Sequence, residues 1–147
     1  MDTLAKLRSL DADEWRVLAE AALLIPVVRM RLRIFGLARL LAARQSPSRS
    51  ARESSDLPPR RVAALVVAAS NRFPLHASCL ARSLVLDRLL RARGFAPELR
   101  IGVRVERGGL DAHAWIECDG QPLDDAPDVA SRYATFDGPV PLEAFAR

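Results

Sequence analysis

Apolar residues recur at helical spacing through the first two thirds of the chain. The pattern predicts a helix over residues 12–24 (ADEWRVLAEAALL), with Asp11 or Asp13 as its cap. Pro26 marks a break or kink. A second helix follows over Val27–Arg44, mixing Leu32, Ile34, Phe35, Leu37, Leu40 and Leu41 with Arg29, Arg31, Arg33 and Arg39. Gln45–Pro59 is rich in Ser, Pro, Arg and Asp and reads as a linker. A short, strongly apolar helix runs from Arg60 to Asn71, its start marked by Pro58–Pro59. A turn over residues 72–77 contains Pro74, and the next helix spans Ser78–Arg93 and stops at Gly94. Cys79, Ser83, Leu86 and Leu90 share one of its faces, and Leu80 and Leu84 lie on another, so this helix is central and buried.

From Glu98 the period changes to two. Leu99, Ile101, Val103 and Val105 alternate with Glu98, Arg100, Gly102 and Arg104, which predicts a half-buried strand. Gly108–Gly109 supplies a turn, Ala112–Cys118 a second strand, and Asp119–Gly120 a hairpin turn into a short strand toward Leu123. The tail from Pro127 is weakly patterned. The fold class is therefore α+β: N-terminal helices, then a central cysteine-bearing helix packed on a small antiparallel sheet. Residues 1–56 form a helical segment and linker, and residues 57–147 the core of a single compact unit.

Composition narrows the function classes. The chain has 147 residues, one domain's length, and is 50% hydrophobic, so it can bury a real core. Its net charge of +4 comes almost wholly from arginine, since Lys6 is the single lysine. That balance permits a weak preference for acidic partners, such as an anionic peptide or a membrane surface. Aromatic residues are 5% of the chain, and no helix-turn-helix, zinc or RNP pattern accompanies the charge, which argues against nucleic-acid binding. The longest apolar run, Ala21–Val28, is far short of the ~20 residues of a membrane span. No secretory signal opens the chain, and two cysteines make no disulfide framework. The reading is a cytoplasmic protein with both thiols reduced. Residues 27–44 have the look of a basic amphipathic helix, but packing on the rest of the protein is favoured over contact with a membrane surface.

Two residues carry candidate chemistry. Cys79 opens a helix, where unpaired N–H groups and the positive end of the helix dipole favour a thiolate. His113 lies in a strand, a rigid mount for a base. Strand alternation puts His113, Trp115 and Glu117 on one face and Ala112, Ala114, Ile116 and Cys118 on the other, which assigns Cys118 to the core. The bland readings are a buried, inert cysteine and a structural histidine. His76 is a competing base in the turn before Cys79, read as lining the site or exposed, and Arg82 is read as solvated or salt-bridged. No Cys/His pair has metal-ligand spacing, so no metal and no other cofactor is expected.

The run from about Val62 to Asp125 resembles the B2 leader-peptidase family of lasso-peptide biosynthesis, a branch of the transglutaminase-like superfamily. The residues that carry the likeness are Cys79-Leu80-Ala81-Arg82-Ser83-Leu84-Val85-Leu86, Leu89-Leu90-Arg91-Ala92-Arg93-Gly94-Phe95, Leu99-Arg100-Ile101-Gly102-Val103, Ala112-His113-Ala114-Trp115-Ile116-Glu117 and Gly120. The resemblance implies a papain-like cysteine peptidase that removes the leader from a ribosomally made precursor, with Cys79 as nucleophile and His113 as base. Asp124 and Asp125 both fit the third position; Asp125 is chosen because the family places its aspartate about twelve residues after the histidine. The Cys79 amide is an oxyanion donor in this reading.

Implied partners are the precursor's leader region, a separate leader-recognition (B1-type) protein and the lasso cyclase. The separate recognition protein is expected because residues 1–57 read as helical and too short for a winged-helix recognition domain. Competing functions are a transglutaminase-like acyltransferase, a non-catalytic peptide-binding module of the same fold, and a membrane-surface adaptor.

Overall fold

A computed structural model describes residues 8–44, 56–72 and 77–135. Its first element, α1, runs from Ala12 to Arg44 as two helical stretches joined across a kink. Asp11 Oδ1 accepts from the Glu14 amide at 2.8 Å and Glu14 Oε2 accepts from the Asp11 amide at 3.1 Å, a reciprocal capping box. The expected break at Pro26 is absent. The proline removes one helical donor and crowds the carbonyl of Ala22, yet the helix continues because its neighbours Ile25 and Val28 are buried in the core. The interruption comes instead at Gly36 (φ 75°, ψ 170°), a conformation that glycine alone adopts without strain.

Helix α2 spans Pro59–Arg72, with proline at its first position, where a missing N–H costs nothing. Helix α3 spans Cys79–Ala92. Ser78 is its N-cap, accepting from the Ala81 amide at 3.2 Å, and Gly94 (φ 85°) follows its C-terminus. The linker over residues 45–55, the Pro74 turn with His76, and the tail beyond Thr135 lie outside the described residues.

The three helices and one strand share a core. Val17, Ala21, Ile25, Val28 and Leu41 of α1 join Val62, Val66 and Ala69 of α2, Val85, Leu86 and Leu90 of α3, and Ile116 of the sheet. Charge networks near both ends of α1 tie it to its neighbours. Glu14 pairs with Arg61 of α2. Arg44, at the far end of α1, donates to the buried Asp87 of α3 at 2.9 Å and to the Pro97 carbonyl at 3.2 Å. Arg91 completes this second network, donating to the Asp87 carboxylate at 3.1 Å and to Pro97 at 3.1 Å, so the buried charge has its partners.

The sheet has four strands in the order β3-β2-β1-β4, where β1 is Glu98–Glu106, β2 Gly109–Cys118, β3 Gln121–Pro122 and β4 Ala134–Thr135. All neighbours are antiparallel. The β1–β2 turn falls on Arg107–Gly108 (φ 50° and 78°), one residue before the expected glycine pair, and β2 begins at Gly109 instead of Ala112. Two consecutive positive φ angles match the right-handed strand twist, and Asp119–Gly120 repeats the device before β3. The weakly patterned tail also holds structure: a short helix α4, Val129–Arg132, leads into β4, which pairs with β1 at Gly102↔Thr135 and Val103↔Ala134. These elements are too short to show a period, and pairing with β1 decides them. The architecture is α+β, with α3 between the other helices and the sheet.

Candidate active site

The two faces of β2 have different work. Ile116 and Cys118 turn toward the helical core. Burial, followed by the charges of Asp119, Asp87 and Glu98, pushes the Cys118 thiol above its ordinary range. His113, Trp115 and Glu117 occupy the opposite face. There Trp115, fully buried, donates from Nε1 to Glu117 Oε1 at 2.9 Å, and Arg100 donates to Glu117 Oε2 at 3.1 Å.

His113 is held from two sides. Its Nε2 lies 2.5 Å from Asp125 Oδ2, a short hydrogen bond that occupies that ring nitrogen. Its ring also stacks on Tyr133, with centroids 5.1 Å apart and planes inclined by 27°. Tyr133, just before β4, reaches the imidazole across Gly102, the residue opposite His113 in β1. A Cβ at position 102 would stand 2.7 Å from Tyr133 Cβ and 3.2 Å from two ring carbons of Trp115. The missing side chain is what lets β4 close over the histidine. Tyr133 is fixed in turn by its hydroxyl, which donates to Asp111 at 3.2 Å, and by the Arg104 guanidinium 4.8 Å above its ring.

Asp124 and Asp125 do different jobs. Burial raises the Asp125 carboxyl, but the hydrogen bonds from His113 and the Ala126 amide, with the nearby charges of His113 and Arg82, outweigh it and hold the carboxyl below its ordinary value. Asp124 points away from the imidazole. Its Oδ1 accepts from the Ile116 amide at 2.8 Å and its Oδ2 from Ser83 Oγ at 2.9 Å. The buried Asp124 therefore joins the cysteine-bearing helix to the histidine-bearing strand, and Ser83 also lies 3.2 Å from the Ala114 carbonyl of that strand.

Cys79 stands at the first position of α3, half-buried and free of disulfide. Among the described residues no hydrogen bond joins its thiol to His113. The link between helix start and imidazole runs through Arg82, one turn on. Its Nε, which has no hydrogen-bond partner, is 3.6 Å from Asp124 Oδ2, and its Nη2 is 4.0 Å from Asp125 Oδ2. Arg82 is thus the salt-bridged arginine of the two readings the sequence left open.

Sequence reasoning passed over Ser83, Gly102 and Tyr133. Ser83 left a signal, as the polar member of an otherwise apolar helical face. Tyr133 left only its rarity, being the one tyrosine in the chain. Among the described residues no group of three His, Cys, Asp or Glu side chains could hold a metal ion. None of their helices is long and apolar enough to cross a membrane.

The family model for the transglutaminase-like superfamily matches residues 22–136. Over 58 residues the chain is 36% identical to the microcin J25-processing protein McjB of Escherichia coli, covering 40% of this chain and 27% of that relative. The match thus spans little more than a quarter of the relative's length. No solved structure matches the chain.

Proposed function

Since the chain belongs to the transglutaminase-like superfamily, we propose that it is a cysteine peptidase that removes the leader from a ribosomally made lasso-peptide precursor. The observation that carries the reading is the His113–Asp125 pair beside a helix that starts at a cysteine. With Nε2 bound to Asp125 at 2.5 Å, Nδ1 is the ring nitrogen left to serve the thiol. The partial likeness to a peptide-processing protein supports the choice of substrate class.

In this mechanism His113 takes the proton of Cys79, and the thiolate attacks the scissile carbonyl carbon. The amide at the start of α3 donates to the oxygen that becomes negative. The carbon–nitrogen bond then breaks as protonated His113 gives its proton to the departing amine, leaving the leader as a thioester on Cys79. His113 next deprotonates a water, which attacks the thioester and releases the leader acid and the thiol. Asp125 keeps the imidazole in the tautomer that presents Nδ1 as the base and stabilises its charged form. A thiol–imidazole hydrogen bond that is missing at rest fits a site that tightens on substrate. A separate protein that captures the leader supplies the recognition, with the cyclase acting on the released core peptide.

The test incubates the chain with precursor and leader-binding protein and reads products by mass. Hydrolysed leader and free core are expected from the wild type, and intact precursor from Cys79→Ala and His113→Ala. A leader acid joined to an added amine would make the chain an acyltransferase. Unchanged processing by Cys79→Ala would reduce the fold to a peptide-binding module.

A further inference from the structure

The core-facing side of α1 carries Val17, Ala21, Ile25 and Val28, all buried. The opposite side is not polar. Leu23, Val27, Met30 and Ile34 are 72%, 45%, 59% and 63% exposed, far more than isolated surface residues on a helix already packed on its other face require. Their spacing is four, three and four residues, the alternation of a coiled-coil seam, and it gives a stripe about 17 Å long. In that register Arg31 and Arg33 fall on the two positions flanking the seam. Both are exposed, and neither makes an ion pair among the described residues.

We propose that this face of α1 is a docking seam for an amphipathic helix of another protein whose flanking positions are acidic. Three features of the stripe choose that occupant. Its narrowness, two apolar positions per seven residues, fits one helix better than it fits a lipid surface, which takes a broad apolar face. Phe35, the other exposed apolar residue nearby, is set off from the seam by Arg39, whose guanidinium lies 5.6 Å from its ring centroid. A second copy of this chain is disfavoured, because the seam's own flanking positions, Leu24, Pro26 and Ala38, offer no acidic partner to Arg31 or Arg33 in either helix direction. Acidic side chains at the same places pair with Arg31 and Arg33. The seam lies on the side of α1 turned away from α2 and α3, so the proposal stands apart from the catalytic reading.

The experiment uses the full chain and two fluorescent synthetic peptides of about 21 residues, with leucine and isoleucine at the seam positions. One peptide carries glutamate at the flanking positions and the other lysine. Fluorescence anisotropy at low salt is expected to show the glutamate peptide bound about tenfold more tightly. Arg31→Glu with Arg33→Glu is expected to reverse that order, and Leu23→Ser with Met30→Ser to abolish binding of both peptides, with helical circular dichroism unchanged. Equal binding of the two peptides, or no binding of either, overturns the proposal. So does stronger retention by vesicles of phosphatidylcholine and phosphatidylglycerol than by the glutamate peptide, which makes the face a membrane contact. A seam-dependent dimer in sedimentation makes it a self-interface and overturns the proposal as well.

Discussion

At the scale of single residues, adjacent aspartates divide orientation from assembly, and the division is measurable. Asp125→Asn keeps the size of the side chain but removes the charge that holds His113 in its useful tautomer. Cleavage is expected to fall by up to about 10⁴-fold, with the thermal midpoint lowered far less than by the loss of Asp124. Asp124→Ala strips partners from the Ile116 amide, Ser83 and Arg82 at once. Leaving such groups unpaired in a buried place costs about 2–4 kcal/mol, read as a lower denaturant midpoint. Equal loss of stability in the two variants would show that the aspartates share one role. The cysteines differ in the same way. Cys118, whose thiol burial pushes up, is expected to resist neutral alkylation at pH 7 while Cys79 reacts, and Cys118→Ser to leave cleavage intact. Alternation in β2 had already put His113 and Cys118 on opposite faces, so this difference was readable from the sequence. That Asp124 faces Ser83 was not readable, because it depends on how α3 lies against β2.

At the scale of elements, local chemistry announced most boundaries and long-range pairing decided the rest. The Asp11/Glu14 box, Pro59, Ser78 and Gly94 are boundary signals written into neighbouring residues; α1, α2 and α3 begin at the first three, and α3 ends at the last. Pro26 misled because a proline's local cost is outweighed when Ile25 before it and Val28 beyond it are buried in the core. Gly36, with no turn partner nearby in sequence, gave no warning. The strand β4 is two residues long and exists because β1 offers it an edge. Gly102 is the price of that closure. Gly102→Ala forces a methyl group to 2.7 Å from Tyr133 Cβ, and overpacking of this kind costs about 1–3 kcal/mol. The variant is expected to loosen Tyr133 from His113, lowering the cleavage rate as well as the thermal midpoint. Tyr133→Phe keeps the stacked ring and loses only the bond to Asp111, so most of the activity is expected to remain. A Gly102→Ala protein with wild-type cleavage would show that β4 is not needed to hold the imidazole.

At the scale of the whole molecule, charges of opposite sign join elements far apart in sequence, and this makes stability depend on pH in a stated direction. Glu14 links α1 to α2; its carboxyl is held below the ordinary value chiefly by the Arg61 hydrogen bond and the Asp11 amide. Asp125 is depressed as well, burial notwithstanding, and links the β3–α4 segment to β2. A carboxyl with a lower value folded than unfolded stabilises the fold above its unfolded value, about 4, and loses that contribution as the pH falls through the folded value. Cys118 acts at the other end. Its raised thiol favours the folded state below the unfolded value near 9, and that preference is lost as pH climbs through the folded value. Thermal midpoints are therefore expected to be level from about pH 5 to 8 and to drop below about pH 4. Glu14→Gln combined with Asp125→Asn should lower the midpoint at neutral pH and flatten the acid limb, since neither position can then take up a proton on unfolding. An acid limb of undiminished slope in the double variant would show that these two carboxyls do not carry the acid sensitivity.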